Sequence, residues 1–400
     1  MPDGREAIAV RVVERISEVP ASAWDTCAAG CEAPYNPFVS HAFLRALEDS
    51  GSVSARTGWQ PHHLIIEDSD GHLAGACPLY IKSHSQGEYV FDHAWAHAYE
   101  RAGGDYYPKL QCAVPFSPVT GPRLLVRSEP AGGLAPATVR AALAAAITEV
   151  TRRFGLSSLH VTFCTPEDAD FLEAADFLIR HGHQFHWLNR DYGDFDAFLL
   201  DLTSRKRKNI RKERQKVRDS GIRMQALQGD DIKPVHWDHF YRFYIDTYDR
   251  KWGYPYLTRE FFAALQETMA EDVVLFIAEL DGDPIAGALN MRGGDALFGR
   301  NWGCDLRFKF LHFEACYYSA IEFAIAHGIQ RVEAGTQGPH KLQRGYLPVR
   351  TQSAHWIPDP GFRRAIAEYL VRERAAEAEE MVDFCEFSPF RQRSDDDAGV

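Results

Sequence analysis

Glu333, Gln337, His340, Lys341 and Arg344 lie close together, just behind the apolar run RVEAG and framed by Gly335, Gly338 and Pro339. These residue types suit amide formation, which needs a neutral amine, support for a developing oxyanion and a route for the departing proton. Glu333 ends the apolar run, where partial burial would raise its carboxyl pKa toward the working range. A salt bridge to Arg331 or Lys341 is the rival reading. Arg344 suits a planar bidentate anion and Lys341 acts as a point charge, so with His340 they can clamp a phosphate, a carboxylate or a leaving group. A solvated basic loop has a similar composition.

Upstream, His312, Glu314 and Cys316 stand where a helix begins. His312 and Glu314 are two residues apart and face different sides. His312 can take a proton near neutrality, whereas Glu314 also suits the positive end of a helix. Cys316 is the i+4 neighbour of His312, but direct transfer between bound substrates needs no thiol. Glu333, His312, Glu314 and His340 are the catalytic candidates. Arg300, Trp302, Gln337, Lys341 and Arg344 are candidate substrate contacts.

The first half holds a second polar cluster of Lys82, His84, Gln86, Glu88 and Asp92, followed by Tyr107 and Lys109. KSHSQGEY alternates polar residues as it leaves a strand, so Lys82, His84 and Gln86 are expected on one face. With Tyr106 and Tyr107 they suggest a wall that binds the acceptor. His93 and His97 are four apart in HAWAH, which lacks the glutamate of a zincin helix, and no metal is expected. SRKRKNIRKERQKVRDSG carries nine Lys or Arg residues between Arg205 and Arg218, with only Ile210 and Val217 apolar. That pattern is a helix with a thin buried stripe and a broad cationic surface, able to attract tRNA phosphates or to stand as a solvated linker. Lys251, Trp252 and Tyr254 end an aromatic-rich helix and are candidates for the edge of an acyl pocket.

A chain of 400 residues exceeds what one core usually supports. Two domains are expected, 1–190 on the acceptor side and 191–390 on the catalytic and donor side, before a disordered tail at 391–400. A hydrophobic fraction of 45% and a charged fraction of 25% are those of a globular protein. No apolar run is long enough to span a membrane. The acidic start, MPDGREAIAV, lacks a signal core, so a cytoplasmic location is expected. The eight cysteines are scattered, and Cys27 and Cys31 have no second pair to complete a zinc site. A net charge of −12 argues against general nucleic-acid binding but not against one local basic surface. No nucleophile elbow, Walker loop or deaminase signature is present.

These groups require a particular order of elements. The second half reads as a strand (RMQALQ), two helices, three strands joined by Asp281-Gly282-Asp283 and Gly293-Gly294-Asp295, a helix from about Phe310 to His327, a short strand at Arg331–Ala334, and a late strand TQSAHWIP. The first half follows a similar plan, with Ser40 as N-cap of SHAFLRALEDSG and a hairpin across HHLIIEDSDGHLAGACPLYIK. The order is that of GNAT acyltransferases, whose sheet splays open to admit the donor. Its two copies indicate an α/β (α+β mixed sheet) protein with two tandem GNAT-like acyltransferase domains.

NPFVSHAFLRALEDSG, GACPLYIKSHSQGEYVFDHAWAHAYERAG, YYPKLQCAVPFSPVTGPRLL, LHFEACYYSAIEFAI and GTQGPHKLQRGYLP resemble N-acyltransferases related to the Fem peptidoglycan aminoacyltransferases. The resemblance covers about Asn36 to Glu373. It implies a tandem GNAT fold and transfer of an acyl or aminoacyl group to a small-molecule or peptide amine. The donor would be acyl-CoA or aminoacyl-tRNA, with no tightly bound cofactor. One departure is plain. Acetyl-CoA-dependent GNAT enzymes carry a glycine-rich pyrophosphate loop before the long helix, but CDLRFKFLHFEAC has no glycine between Gly303 and Gly328. The alternative is a binding module that keeps the fold without turnover.

Overall fold

The computed structural model describes residues 8–30, 34–250, 253–306, 308–335 and 338–391. The chain forms two compact units. The first comprises Met1–Gly182, Tyr256–Leu265 and Thr351–Ala376, and the second comprises His183–Pro255, Gln266–Arg350 and Glu377–Val400. Cys31, Lys251, Trp252, Gln337 and positions 392–400 of the tail lie outside the described residues. The described cysteines are all free thiols.

In the first unit, the helix His41–Asp49 starts as expected: the Ser40 hydroxyl accepts from the Phe43 amide at 3.2 Å and meets one of the unpaired donors of the first turn. One antiparallel sheet runs Val10–Val13, His63–Glu67, Leu73–Cys77, Leu125–Val126 among the described residues. A second run pairs Trp59–Pro61 with Leu79–Lys82, Leu79–Lys82 with Lys109–Cys112, and Lys109–Cys112 in parallel with Leu159–Cys164. The strand Leu159–Cys164 is buried at every residue, as a strand covered on both faces must be. The helix Pro136–Arg153 lies between the parallel strands in sequence, and its Val139, Leu143, Ala144 and Ile147 join the core. Arg123, 1% exposed, donates to the carbonyls of Val119, Gly121, Pro122 and Thr162 and holds the VPFSPVTGPR loop by buried hydrogen bonds.

In the second unit, Arg223–Gln228, Val273–Leu280, Asp283–Arg292 and Ala296–Cys304 form an antiparallel meander. Arg331–Glu333 then adds in parallel to Ala296–Cys304. The intervening helix (Leu311–Phe313, a wider turn at Glu314–Tyr318, then Ser319–Ala326) buries Ala315, Tyr318, Ile321 and Ala324 against the sheet. Beyond it, Ser204–Asp219 buries Ile210 and Val217, the two apolar positions the sequence offers. No helix among the described residues is long and apolar enough to cross a membrane.

Candidate functional site

Two adjoining features of the second unit shape its polar cluster. The first is a β-bulge. Leu289 pairs with Asn301 while Asn290 pairs with Gly299, so Arg300 is the extra residue of the bulge. A bulge re-aims the side chain it carries and deepens the local twist. The second is the end of the parallel ladder. Ala296, Leu297 and Phe298 pair with Arg331, Val332 and Glu333, and then the ladder stops although the longer strand continues to Cys304. Gly299 stands at that point, where a Cβ would come within 3.3 Å of the Glu333 carbonyl oxygen. Trp302, farther along the same strand, packs edge-on against His312 with ring centroids 5.4 Å apart.

Glu333 is therefore the last paired residue of this ladder. Its side chain is 4% exposed. One oxygen takes the Arg331 guanidinium at 3.0 Å, from the residue two positions back on the same face. The other oxygen is buried without a hydrogen-bond partner, 3.8 Å from His186 Nε2. Burial lowers the His186 pKa against the pull of Glu333, so the ring is neutral at pH 7. The expected ion pair with Arg331 is present. Lys341 instead donates to the Ala334 and Gly335 carbonyls at 2.5 and 3.0 Å, the first carbonyls beyond the strand. Burial brings the Lys341 pKa down to about 8.

The other residues of this cluster are tied together. His340 Nε2 lies 3.0 Å from the Tyr317 hydroxyl, and burial, then Arg344 and Lys341, lower its pKa. Arg344 lies over the Phe313 ring at 3.4 Å and bonds Glu213 of the basic helix at 2.9 Å. Glu314 is bonded at both oxygens by Arg214 and is 5% exposed, so it anchors the basic helix to the wide turn. Wide turns of this kind recur at functional sites. Cys316 offers no thiolate, because burial raises its pKa far above neutrality. The bonding of Arg214 and Arg344 was not legible in sequence, since their partners are about a hundred residues away. Tyr254 is 79% exposed.

The segment before the long helix is filled by side chains. Phe308 and Phe310 pack against the cluster of Val217, Ile222, Ile285 and Leu311.

The first unit gathers Lys82, Glu88, Asp92, Tyr107 and Lys109 as the sequence suggested, but by another route. The strand stops at Lys82, and residues 83–92 turn, with Gly87 at a φ of +78°. Lys82, His84 and Gln86 thus do not share a strand face, because alternation ends where the strand does. Lys82 folds back to the Gln86 carbonyl at 3.1 Å and lies 3.7 Å above the Trp59 ring. His84 sits against Gly58, and burial followed by Lys82 lowers its pKa. Lys109, wholly buried, donates to Glu88 Oε2 at 2.8 Å, Asp92 Oδ2 at 2.5 Å and Ser85 Oγ at 3.1 Å. Burial pushes the Asp92 pKa up, but Lys109, His160 and Tyr106 outweigh it and hold the carboxyl below its usual range. His160 and His355, which the sequence analysis did not single out, meet at 2.7 Å behind Asp92, and burial takes the His160 pKa down to about 3. His93 and His97 are exposed on their helix, and no third ligand joins them among the described residues.

Glu88 differs from Asp92. Burial raises its pKa despite Lys109, and its Oε1 is buried with no hydrogen-bond partner. It lines a cavity of about 310 Å³ with Ser85, Tyr89, Phe91, Tyr107 and Tyr256. Burial also lowers the Lys82 pKa to about 7, against the pull of Glu88 3.9 Å away. An aromatic-walled cavity with one carboxylate oxygen free can take a cationic or amine-bearing group.

A sequence model for a FemAB-like family, described as peptidoglycan biosynthesis and recognition, matches residues 15–392. The structure is similar to a crystal structure of FemX at 12% identity and a TM-score of 0.55, over 87% of this chain and 98% of that one. It is also similar to the structure of L-PGS from Bacillus licheniformis (10% identity, TM-score 0.50, 85% and 98% covered). A C-terminal domain of a putative lysylphosphatidylglycerol synthetase from Agrobacterium fabrum is a third (8% identity, TM-score 0.50, 88% and 96% covered). At these identities the likeness shows the fold: mixed α/β, of the tandem GNAT-like kind. No curated protein matches the sequence.

Proposed function

The chain belongs to the FemAB-like family, whose members are acyltransferases, and on that premise we propose that it moves an aminoacyl group from an ester donor to an amine by direct attack. The observation that carries this reading is the end of the parallel ladder at Phe298 and Glu333, where a buried carboxylate keeps one oxygen unbonded. Arg331 orients the other oxygen, so the free one is the proton acceptor, and His186 beside it is neutral at pH 7. Lys341 and Arg344 steady negative charge as the carbonyl becomes tetrahedral. His312 and His340, ringed by Trp302, Phe313 and Tyr317, serve as proton carriers and walls. In the first unit, the cavity beside Glu88 receives the acceptor amine, and Lys82, Asp92, Tyr107 and Lys109 set its charge.

Aminoacyl-tRNA is favoured over acyl-CoA as donor by two features of the second unit. Phe308 and Phe310 occupy the place of a pyrophosphate loop. On the helix Ser204–Asp219, Arg205, Lys208, Arg211, Lys212, Lys216 and Arg218 are exposed, a surface fit for phosphates. The test is transfer to a lysine-containing peptide, followed by mass spectrometry, with aminoacylated tRNA and acyl-CoA supplied in parallel. Mass added only with the tRNA supports the reading. Addition only with acyl-CoA overturns the donor, and no addition with any donor or amine overturns the reaction. Replacing Arg205, Lys208, Lys212 and Lys216 by Gln should weaken donor binding and flatten its dependence on salt.

A further inference from the structure

The first unit holds a second hollow, about 1000 Å³, that shares no lining residue with the cavity beside Glu88. It runs between the edge strand Val10–Val13 and the helix Pro136–Arg153. Its walls are apolar: Ile8, Val10, Val12 and Leu64 on one side, Ala142, Ala145, Ala146, Val150 and Phe154 on the other. The three alanines keep the helix face low, so the hollow is an open trough. Its volume is at the upper end of what small-molecule sites enclose.

A buried histidine stands among these apolar walls. His62 is 6% exposed, and neither ring nitrogen has a hydrogen-bond partner. Buried polar groups are nearly always paired, so an imidazole with both nitrogens idle marks a place where a ligand completes the bonding. Burial lowers its pKa; Glu14 pulls the other way and His63 adds to the lowering. The neutral ring offers one donor and one acceptor.

The charges around the trough decide the kind of ligand. Glu14, Glu18, Glu149 and Arg153 line the trough as well. Glu18 Oε1 accepts from the Glu14 and Arg15 amides and Glu149 lies 3.9 Å from the Arg152 guanidinium, so the lining itself stays net acidic. A fatty acid would bring its anion to an acidic rim. We propose that this trough binds a cationic amphiphile, a small molecule with a hydrocarbon body, a protonated amine at one end, and an ester- or amide-like group that reaches His62. The hydrocarbon replaces water over the alanine and valine walls, the amine sits among the carboxylates, and the polar group bonds the imidazole. The site is independent of the transfer reaction proposed above.

Calorimetric titration of the full chain tests this with decylamine, decanoate, decanol and the decyl ester of β-alanine, all below their micelle concentrations. The two amines should bind saturably, at least about tenfold tighter than decanoate, and the ester tighter than decylamine. Ala146→Trp, which fills the trough, should weaken both at least about tenfold. Ala145→Trp, at an exposed position of the same helix, is the second variant should the first not fold. His62→Leu should remove the advantage of the ester and leave decylamine unchanged. Equal or tighter binding of decanoate overturns the proposal, as does indifference of the amines to both tryptophan variants. A dimer of the wild-type chain in light scattering that Ala145→Trp disperses would show a second copy in the trough, and would overturn it as well.

Discussion

The two units use the same wiring, a strand, a helix and a parallel strand, and close it differently. In the first, Lys109–Cys112 pairs with Leu159–Cys164, and the charges beside it are matched: one buried lysine bonds two carboxylates and a hydroxyl. In the second, the corresponding pair is likewise three residues long, but the carboxylate at its end keeps a bare oxygen. The contrast shows that burial alone does not mark a working acid or base. Asp92 is as buried as Glu333 but fully bonded, so its proton affinity falls and it serves structure. Glu88 and Glu333 each have one oxygen held by a cation and the other free, an arrangement that fixes orientation and leaves a lone pair to act.

Several substitutions would break or sharpen this comparison. The largest effect is expected from Lys109→Met, which strands Glu88 and Asp92 as uncompensated buried charges. The loss should be about 3–5 kcal/mol, read as a fall in the urea midpoint, and an unchanged midpoint would dissolve the contrast between matched and unmatched charge. Next, Glu333→Gln keeps the shape but removes the proton acceptor, so turnover should fall at least about tenfold with the melting temperature nearly constant. If Glu88→Gln lowers turnover more than Glu333→Gln does, the proton is taken in the first unit and the roles exchange.

A smaller effect concerns Lys82, whose folded pKa of about 7 lies well below the 10.5 of an unperturbed lysine. Between these values the unfolded chain holds a proton that the folded chain lacks. This lysine therefore makes stability climb as pH rises from about 7 toward 10.5. Lys82→Met should flatten that climb, measured as urea midpoints at about pH 7 and 9.5. The smallest effect is expected from Glu314→Gln, which retains a partner for Arg214. It should cost little turnover, and a loss as large as that of Glu333→Gln would return Glu314 to the chemistry.

Much of the scaffold was legible in the sequence because local rules govern it. The cap at Ser40, the buried pair Ile210 and Val217, and the turns at Asp281-Gly282 and Gly293-Gly294 follow from spacing and backbone preference. The bulge at Arg300 left no such mark, since register depends on the facing strand. The alternation read through KSHSQGEY failed for a related reason: a period of two holds only while a strand has a partner, and here pairing ends at Lys82.

Order of elements, family and the positions of the polar clusters were set by the chain's own pattern of apolar and polar residues. Which carboxylate stays free was decided by the fold. His160 meets His355 across 195 positions, and Arg344 meets Glu213 across 131. Proton affinity depends on the atoms within a few ångströms of a group, and only folding determines which atoms those are.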